Sequence, residues 1–447
     1  MTTYYKYFRK INIAAMLVLV LLLQACNKEL PEAAPNGYPL GAATETILKK
    51  LDAPEFSILK TAVEKASSVS SPTGKLSDIL GNPAGEITFF APDNTALLAS
   101  FTMMGLPASP SSLDYFTAGT IDTLLKYHII GGRTLKSANF NSTFPNMYLQ
   151  SDFLLAPPSA SLPPGLRMHV FLGKQGNYYY VNQVPITTPD IVASNGVMHK
   201  TATGVLPAKT VLWYDIVTHP EYSYFKAAVN KADEGDPAKT IESALSNPAA
   251  NLTVFMPTNA AFQALLTAQI TPGVLPIVKN QYITTGIVPL IKAANPGISD
   301  AAALAQATAL AETEPYKTNI ANMAKDQAAA IASTPDVFKN PALASVLTPQ
   351  TVKGLVVYHI MGVRVFSVNM PTTETKYPTL LNGAIASHPG IGLKATFTSS
   401  IVSAATVKGA ANPIASNILI KPTFNGTSDL ICINGIMHVI DQVLLPQ

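Results

Sequence analysis

The sequence predicts two consecutive copies of one folding unit, each built from both helices and strands. Three observations predict it: an amphipathic helix, a strand that turns at a proline into a capped helix, and an Asn-Gly hairpin signal each occur twice. The blocks keep the same order in both copies, which is the signature of an internal repeat. We therefore expect one domain at about 45–210 and a second at about 211–447.

The first block is an amphipathic helix. "PEFSILKTAVEKA" at 54–66 returns as "PEYSYFKAAVNKA" at 220–232, an offset of 166. In the first copy the apolar residues recur at intervals of three and four, which gives one face of a helix to bury. The members of this face are Ile58, Leu59, Ala62, Val63 and Ala66. The block predicts a packing helix in each unit.

The second block predicts a strand, a proline corner and a capped helix. "ITFFAPDNTALLASF" from Ile87 returns as "LTVFMPTNAAFQALL" from Leu252, an offset of 165. Each apolar run ends at a proline, and the polar pairs Asp93-Asn94 and Thr258-Asn259 follow it. A polar side chain at this point is expected to accept a hydrogen bond from the first free amides of a helix.

The third block carries a repeated Tyr-His pair. "LLKYHIIGGRTL" from Leu124 returns as "LVVYHIMGVRVF" from Leu355, an offset of 231. Helical apolar spacing precedes Tyr127-His128 and Tyr358-His359, and β-type residues follow them. Two interpretations stay open. The pairs contact a ligand or receptor, or they satisfy buried backbone groups at a helix-to-strand junction.

The fourth block is a hairpin signal. "DIVASNGVMHKTATGVL" and "DLICINGIMHVIDQVLL" place Asn-Gly between two β-rich runs, 239 positions apart. Both central residues of a type I′ turn need positive φ, so Asn-Gly is expected at the centre of the turn. His199 and His438 then fall inside strands, as core or edge residues or as ligands.

The second unit carries roughly 66 extra residues, the difference between offsets 165 and 231, within about 267–350. This insertion is alanine-rich. "SDAAALAQATALAETEP" has a Ser/Asp start and a proline stop, which predicts a helix, and "TNIANMAKDQAAAIASTPDVF" predicts another. The insertion is either a partner surface or inert decoration.

The paired motifs together resemble the fasciclin-like domain, present in tandem. "TFFAPDNTA" and "TVFMPTNAAF", the two Tyr-His pairs, and "NGVMH…GVLPA" with "NGIMHVIDQVLLP" carry the resemblance over almost all of the chain after the leader. It implies an α+β fold in which each domain is a β-sheet wedge with packed helices. It also implies an adhesion or matrix module that binds proteins or glycans without cofactors. Its Tyr-His motif makes Tyr127, His128, Tyr358 and His359 the candidate interaction residues. "HKTATGVLPA" departs from the second copy because it lacks the Val-Ile-Asp that ends at Asp441.

The first 26 residues predict a secretory signal: basic residues, an apolar run from Ile11 to Leu23, and "LLQAC". That ending resembles a bacterial lipobox, which implies lipid attachment at Cys26. Residues 27–44 hold three prolines and little that could be buried, which predicts a flexible tether. "CNKEL" lacks an aspartate directly after the cysteine, which favours the outer membrane. The cell surface and the periplasmic face stay open.

Composition and motifs give no sign of an enzyme. Thirty basic and 27 acidic side chains leave a charge of +3, without the basic patch of a nucleic-acid binder. Cys432 is expected in the core, and the seven histidines show no metal spacing. Nucleophile-elbow, P-loop and zinc-protease motifs are absent from the sequence. We expect no catalytic residue, metal or cofactor, and no oligomeric state is predicted.

Two non-enzymatic functions remain. The first is an adhesion or envelope-organising lipoprotein with a protein or glycan partner, and the alternative is a lipoprotein that captures polysaccharide or oligosaccharide for nutrient uptake. Exposed aromatic rings would favour the alternative, because sugar rings stack on them. The aromatic candidates are Tyr178, Tyr179 and Tyr180, while Trp213 is expected to pack between the domains.

Overall fold

The protein folds into two β-sheets, each packed against helices, so the predicted α+β class is confirmed. The structure is a computed structural model and describes residues 43–156, 165–420 and 426–446. The predicted leader with Cys26, and the tether up to residue 42, lie outside the described residues.

The first unit alternates helices and strands along the chain. Its helices are α1 (Ile47–Lys50), α2 (Ser57–Ala66), α3 (Leu76–Gly81), α4 (Asn94–Met103) and α5 (Ala118–Tyr127). Its strands are β1 (Ile87–Pro92), β2 (Ile129–Gly131), β3 (Met147–Ala156), β4 (Leu166–Gln175), β5 (Tyr178–Val181), β6 (Val184–Ala193) and β7 (Gly196–Thr201). Short 3-10 turns lie at Pro54–Phe56, Pro110–Tyr115 and Ser137–Asn139.

The second unit begins with the same succession. Its helices are α6 (Leu212–Thr218), α7 (Ser223–Ala232), α8 (Thr240–Ser246), α9 (Asn259–Gln281), α10 (Val288–Ala294), α11 (Asp300–Leu310), α12 (Tyr316–Ile331) and α13 (Pro349–Tyr358). Its strands are β8 (Leu252–Pro257), β9 (Ile360–Met361), β10 (Thr375–Tyr377), β11 (Ile391–Thr398), β12 (Ile401–Lys408), β13 (Ser416–Ile418), β14 (Leu430–Cys432) and β15 (Gly435–Ile440). A π-helical segment, Tyr282–Ile287, joins α9 to α10, and 3-10 turns include Pro335–Lys339 and Ser367–Asn369.

Both sheets share one central arrangement. The first has the order β2-β1-β7-β6-β5-β4-β3, and the second has β10-β11-β12-β13-β15-β8-β9 with β14 also on β15. In each unit the first strand pairs in parallel with the last, placing Ile87 opposite Gly196 and Leu252 opposite Gly435. A parallel pair cannot be closed by a tight turn, so the rest of each unit forms the crossover.

The predicted packing helix and capped helix are confirmed in both units. The apolar stripe of α2 is buried, from Ile58 to Ala66. The Asp93 side chain accepts from the amide of Ala96 at 3.0 Å, and Thr258 accepts from Ala261 at 3.1 Å. Asn94 does not cap its own helix. Its side chain instead reaches back to the start of α2 and accepts from the amide of Ile58 at 3.0 Å.

The hairpins are present, but the position predicted for Asn-Gly is wrong by one residue. Ala193 pairs with Gly196 and Cys432 with Gly435, so each turn centres on the residue before the asparagine and on the asparagine itself. The glycine begins the last strand, where a methyl group on Gly196 would lie 1.9 Å from the carbonyl oxygen of Ile87. Close approach of the parallel neighbour therefore requires glycine there.

The insertion is helical, as predicted, and packs into the core of the second unit. Ser299 caps α11 by accepting from Ala302 at 3.2 Å, and α12 buries Ile320, Ala324 and Ala328 against α9. Phe262 and Phe338 meet edge to face at 6.2 Å. Among the described residues, one helical run, Asn259–Ala294, is long and apolar enough to cross a membrane, although 33% of its most apolar window is buried within the protein.

The aromatic candidates occupy different environments. Trp213, expected between the domains, packs on the core of the second unit from helix α6. Tyr180 is fully buried and Tyr178 is 42% exposed, whereas Tyr179 packs edge to face on Phe140 at 5.8 Å.

Candidate functional site at the tyrosine–histidine junctions

Tyr127 is the last residue of α5, and its ring is buried. Its hydroxyl donates to the carbonyl of His169 at 3.0 Å and accepts from Nδ2 of Asn182 at 2.9 Å. Burial raises the pKa of Tyr127, so the hydroxyl stays protonated and able to donate. The tyrosine thus joins the end of a helix to strand β4 and to the bend after β5.

His128 joins the same helix end to the chain that follows the sheet. Its Nδ1 lies 2.8 Å from the carbonyl of Leu124, and Nε2 lies 2.8 Å from the amide of Val205. The amide can only donate, so Nε2 accepts and Nδ1 carries the proton. Burial lowers the pKa of His128 to about 4, which keeps the ring neutral in this tautomer.

The second unit repeats this arrangement at α13. The Tyr358 hydroxyl donates to the carbonyl of Gly390 at 2.7 Å and accepts from the amide of Ala410 at 2.8 Å. His359 Nδ1 lies 2.8 Å from the carbonyl of Leu355, and its Nε2 accepts from the amide of Leu444 at 2.9 Å. Burial raises the pKa of Tyr358 and lowers the pKa of His359 to about 4.

The four candidate interaction residues are therefore internal. Their side chains are at most 4% exposed, and each holds a backbone group of a neighbouring element. A partner docking on the surface of this conformation would meet none of them. The geometry corresponds to the second interpretation of the Tyr-His pairs, in which they satisfy buried backbone groups.

The strand histidines form a second repeated network. His199 Nε2 lies 2.8 Å from the carbonyl of Leu135, and Nδ1 accepts from the amide of Asp190 at 3.2 Å. Asp190 in turn accepts from the amide of Ser137 at 2.7 Å and from its hydroxyl. In the second unit His438, Asp429, Ser367 and the carbonyl of Val365 occupy the same places.

This network contains serine, aspartate and histidine but lacks the order of a catalytic triad. A triad needs the histidine to accept the proton of the serine, whereas Ser137 donates directly to Asp190. The histidine Nε2 is occupied by a backbone carbonyl. The network therefore joins the start of each 3-10 turn, such as Ser137–Asn139, to the last hairpin of its unit by hydrogen bonds.

Several residues of these networks were not predicted from the sequence. Asp190 and Asp429 open the quoted hairpin blocks at an offset of 239, so the repeat already contained their signal. Thr88 is similar: its hydroxyl donates to the carbonyl of Arg133 and accepts from the amide of Leu135, both at 2.8 Å. Thr253 makes the matching pair of bonds in the second unit.

Cys432 and the acidic groups offer no reactive or metal-binding cluster in the described part of the chain. The Cys432 thiol is buried and donates to Oδ2 of Asp215 at 3.2 Å. Burial raises its pKa well above the ordinary value, so the thiolate is disfavoured. Within residues 43–156, 165–420 and 426–446, no three His, Cys, Asp or Glu side chains are placed to hold a metal ion.

Comparison with known families decides the nature of the first unit. The family model of the fasciclin domain matches residues 54–206. The first unit is a fasciclin domain. The second unit repeats its sequence blocks, its parallel strand pair and the hydrogen bonds of its tyrosine and histidine to backbone groups. The chain is thus a tandem fasciclin-like protein.

A solved structure and the curated proteins complete the comparison. The FAS1 domain pair of the insect cell adhesion molecule fasciclin I aligns over 87% of this chain and 97% of its own, at 14% identity and a TM-score of 0.26. That score carries no argument about the arrangement of the two units. No curated protein matches the chain.

Exposed tyrosines and a groove are accessible features in the described part of the tandem fasciclin-like protein. Among the described residues, Tyr115, Tyr148, Tyr178 and Tyr214 are exposed, and Tyr148 is 57% exposed on the outer edge of the first sheet. A groove of about 580 Å³ lies between α7 and the 3-10 turn Pro335–Lys339. In the groove wall Lys231 pairs with Glu234 at 2.6 Å and Lys339 with Asp336 at 3.0 Å, and Lys226 is a further lysine of this wall.

Proposed function

We propose that this protein is a non-catalytic binding module of the adhesion type, held on a bacterial outer membrane by a lipid on Cys26. The observation that carries the proposal is the fasciclin domain at 54–206, because domains of this family typically act as adhesion-type binding modules. The partner is a protein or glycan of the envelope or of the surrounding matrix.

The state of the polar side chains supports binding rather than catalysis. The paired tyrosines and histidines, and both Ser-Asp-His networks, are engaged with backbone groups of their own domain. A general base or nucleophile needs a free lone pair within reach of a substrate. These networks leave none of their histidine nitrogens free for that task.

The predicted tether supports a role at a distance from the membrane. The predicted tether, residues 27–44, follows the proposed lipid-bearing cysteine, and a fully extended chain of this length spans about 60 Å. A folded body on such a tether can meet partners beyond the lipid headgroups.

One observation favours the second candidate, capture of polysaccharide or oligosaccharide. The exposed ring of Tyr148 is held edge to face by His169 at 5.4 Å and lies 6.1 Å from the ring of Phe171. A ring that its neighbours already fix loses little freedom when a sugar stacks on it. Tyr148 is therefore the first residue to test for glycan binding.

The test is a binding screen of the purified full chain, in detergent, against glycans and against envelope and matrix proteins. Protein binding without glycan binding supports adhesion to a protein. Glycan binding that Tyr148→Ala abolishes and Tyr115→Ala preserves supports capture at Tyr148, because Tyr115 is 68% exposed elsewhere on the same domain. Turnover of any panel member would contradict the non-catalytic proposal.

A further inference from the structure

The outer face of strands β4 and β5 is covered by the second domain. Leu172 and Val181 are opposite each other and point into the core of the first domain. The alternating positions Phe171 and Tyr180 face the other way. They are buried at 2% and 0% exposure, within a hydrophobic cluster otherwise formed by residues of the second domain. This face is therefore part of an interdomain interface.

The covering segment lies around the 3-10 turn Ser367–Asn369. Its Phe366 ring is 5.6 Å from the ring of Phe171, and the Tyr180 hydroxyl donates to the carbonyl of Ser400 at 2.9 Å. The rings of Phe144 and Tyr377 meet at 4.0 Å. Ring packing at several points and a hydrogen bond fix the relative position of the two domains.

Gly173 and Asn369 provide the closest steric fit of this interface. A methyl group on Gly173 would lie 2.1 Å from Oδ1 of Asn369 and 2.6 Å from its Nδ2. Gly173 is not among the glycines with positive φ, so its backbone would accept alanine without strain. The side chain of Asn369 from the other domain occupies the space that a side chain at this position would take, so alanine here requires Asn369 to move.

Arg364 of the second domain places a buried cation beside Phe171 of the first domain. Its guanidinium lies over the Phe171 ring at 5.1 Å, and Nη2 donates to the carbonyl of Ile433. The residue is 4% exposed, and its Nε has no hydrogen-bond partner among the described residues. Burying this cation costs desolvation free energy, and its contact with the Phe171 ring offsets part of that cost. The burial of the apolar rings beside it is what favours the closed pair.

From these contacts we propose that the two fasciclin domains fold and unfold as one cooperative unit. The close contact between Gly173 and Asn369 determines how the two domains fit together. The inference goes beyond the proposed binding role, because it holds whatever the partner is. A partner that spans both domains then meets a surface of fixed geometry and does not lose affinity to interdomain motion.

The test is calorimetric unfolding of the full chain in detergent, combined with limited proteolysis of the connection between β7 and α6. We expect the unaltered protein to unfold in one transition and to resist cleavage there. Gly173→Ala should split the transition in two and speed cleavage. Gly119→Ala is the matched control, because nothing lies within 4 Å of the methyl group that it adds to α5.

The decisive variant combines Gly173→Ala with Asn369→Ala. Removing the asparagine side chain clears the space, so the double variant should recover a single transition. If Gly173→Ala does not fold, Tyr180→Phe replaces it, since this variant loses only the bond to Ser400 and should weaken the coupling alone. Two independent transitions in the unaltered protein overturn the proposal. A double variant as uncoupled as Gly173→Ala also overturns it, because the effect would then be local to β4.

Discussion

At the scale of single residues, the histidine after each paired tyrosine is held neutral by its burial. The folded pKa of His128 and of His359 is about 4, below the ordinary value of 6.5. As the pH falls from 6.5 to 4, each histidine ring is therefore protonated in the unfolded chain but stays neutral in the native state. Each neutral ring contributes about 3 kcal/mol to the free energy of unfolding above pH 6.5, relative to its contribution below pH 4. This contribution is lost as the pH falls from 6.5 to 4.

We expect His359→Gln to flatten this pH dependence. Urea unfolding of the variant should show lower stability at pH 7.5 than the unaltered protein, but a smaller further loss between pH 6.5 and 4. His219→Gln is the control, because His219 lies exposed at the end of α6. If the stability of His359→Gln falls between pH 6.5 and 4 as steeply as that of the unaltered protein, other groups cause the loss of stability in acid.

Tyr358→Phe removes one hydroxyl and leaves the ring in place. The amide of Ala410 loses its acceptor and the carbonyl of Gly390 loses its donor, so we expect a cost of about 1–3 kcal/mol. Thermal unfolding measures it, with Tyr178→Phe as the exposed control. Unchanged melting together with lost partner binding would instead make Tyr358 an interaction residue.

At the scale of elements, the asparagine of each last hairpin holds the first helix of its domain. Asn434 accepts from the amide of Leu212 and donates to the carbonyl of Leu245, both at 2.8 Å, and Asn195 does the same for Ile47 and Leu80. Asn434→Ala leaves two buried backbone groups without partners. We expect a loss of about 1–3 kcal/mol in chemical unfolding, against a near-neutral Asn230→Ala on the exposed side of α7.

The insertion is expected to be necessary for the second domain. Deleting residues 267–350 removes Phe338 from the ring of Phe262 and removes the carbonyl of Ala332, to which the Tyr224 hydroxyl donates at 2.5 Å. The deletion should expose the apolar side of α7 that these residues cover. We therefore expect a lower melting temperature and aggregation of the variant. A monomeric deletion variant with native circular dichroism and unchanged melting would show that the insertion is decoration.

Sequence periodicity predicted the elements whose apolar spacing is local, such as α2, α11 and the strand before each proline. It did not predict that Asn195 and Asn434 act through their side chains, because the amides they hold lie 148 and 222 residues away. The same limit applies to Asn94, whose partner belongs to an earlier helix. Long-range partners become visible only once the sheet has placed both segments together.

At the scale of the whole molecule, the lipid on Cys26 would confine both domains to one membrane. Cys26→Ala should abolish acylation and release the protein into the soluble fraction, whereas Cys432→Ala should leave retention intact because Cys432 is a buried core residue. Membrane fractionation measures this. Retention of Cys26→Ala in the membrane fraction would contradict the proposed anchor.

In each domain the first strand pairs in parallel with the last strand, so this pair can form only when the end of the domain is present. The paired residues Ile87 of β1 and Gly196 of β7 are 109 positions apart in the sequence. Leu252 of β8 and Gly435 of β15 are 183 positions apart. Closing the longer loop costs under about 1 kcal/mol more, but such distant pairing slows folding. During synthesis β1 and β8 therefore lack their parallel neighbour until nearly the whole of their domain has emerged. Until then one edge of each strand is unpaired, a state that favours aggregation.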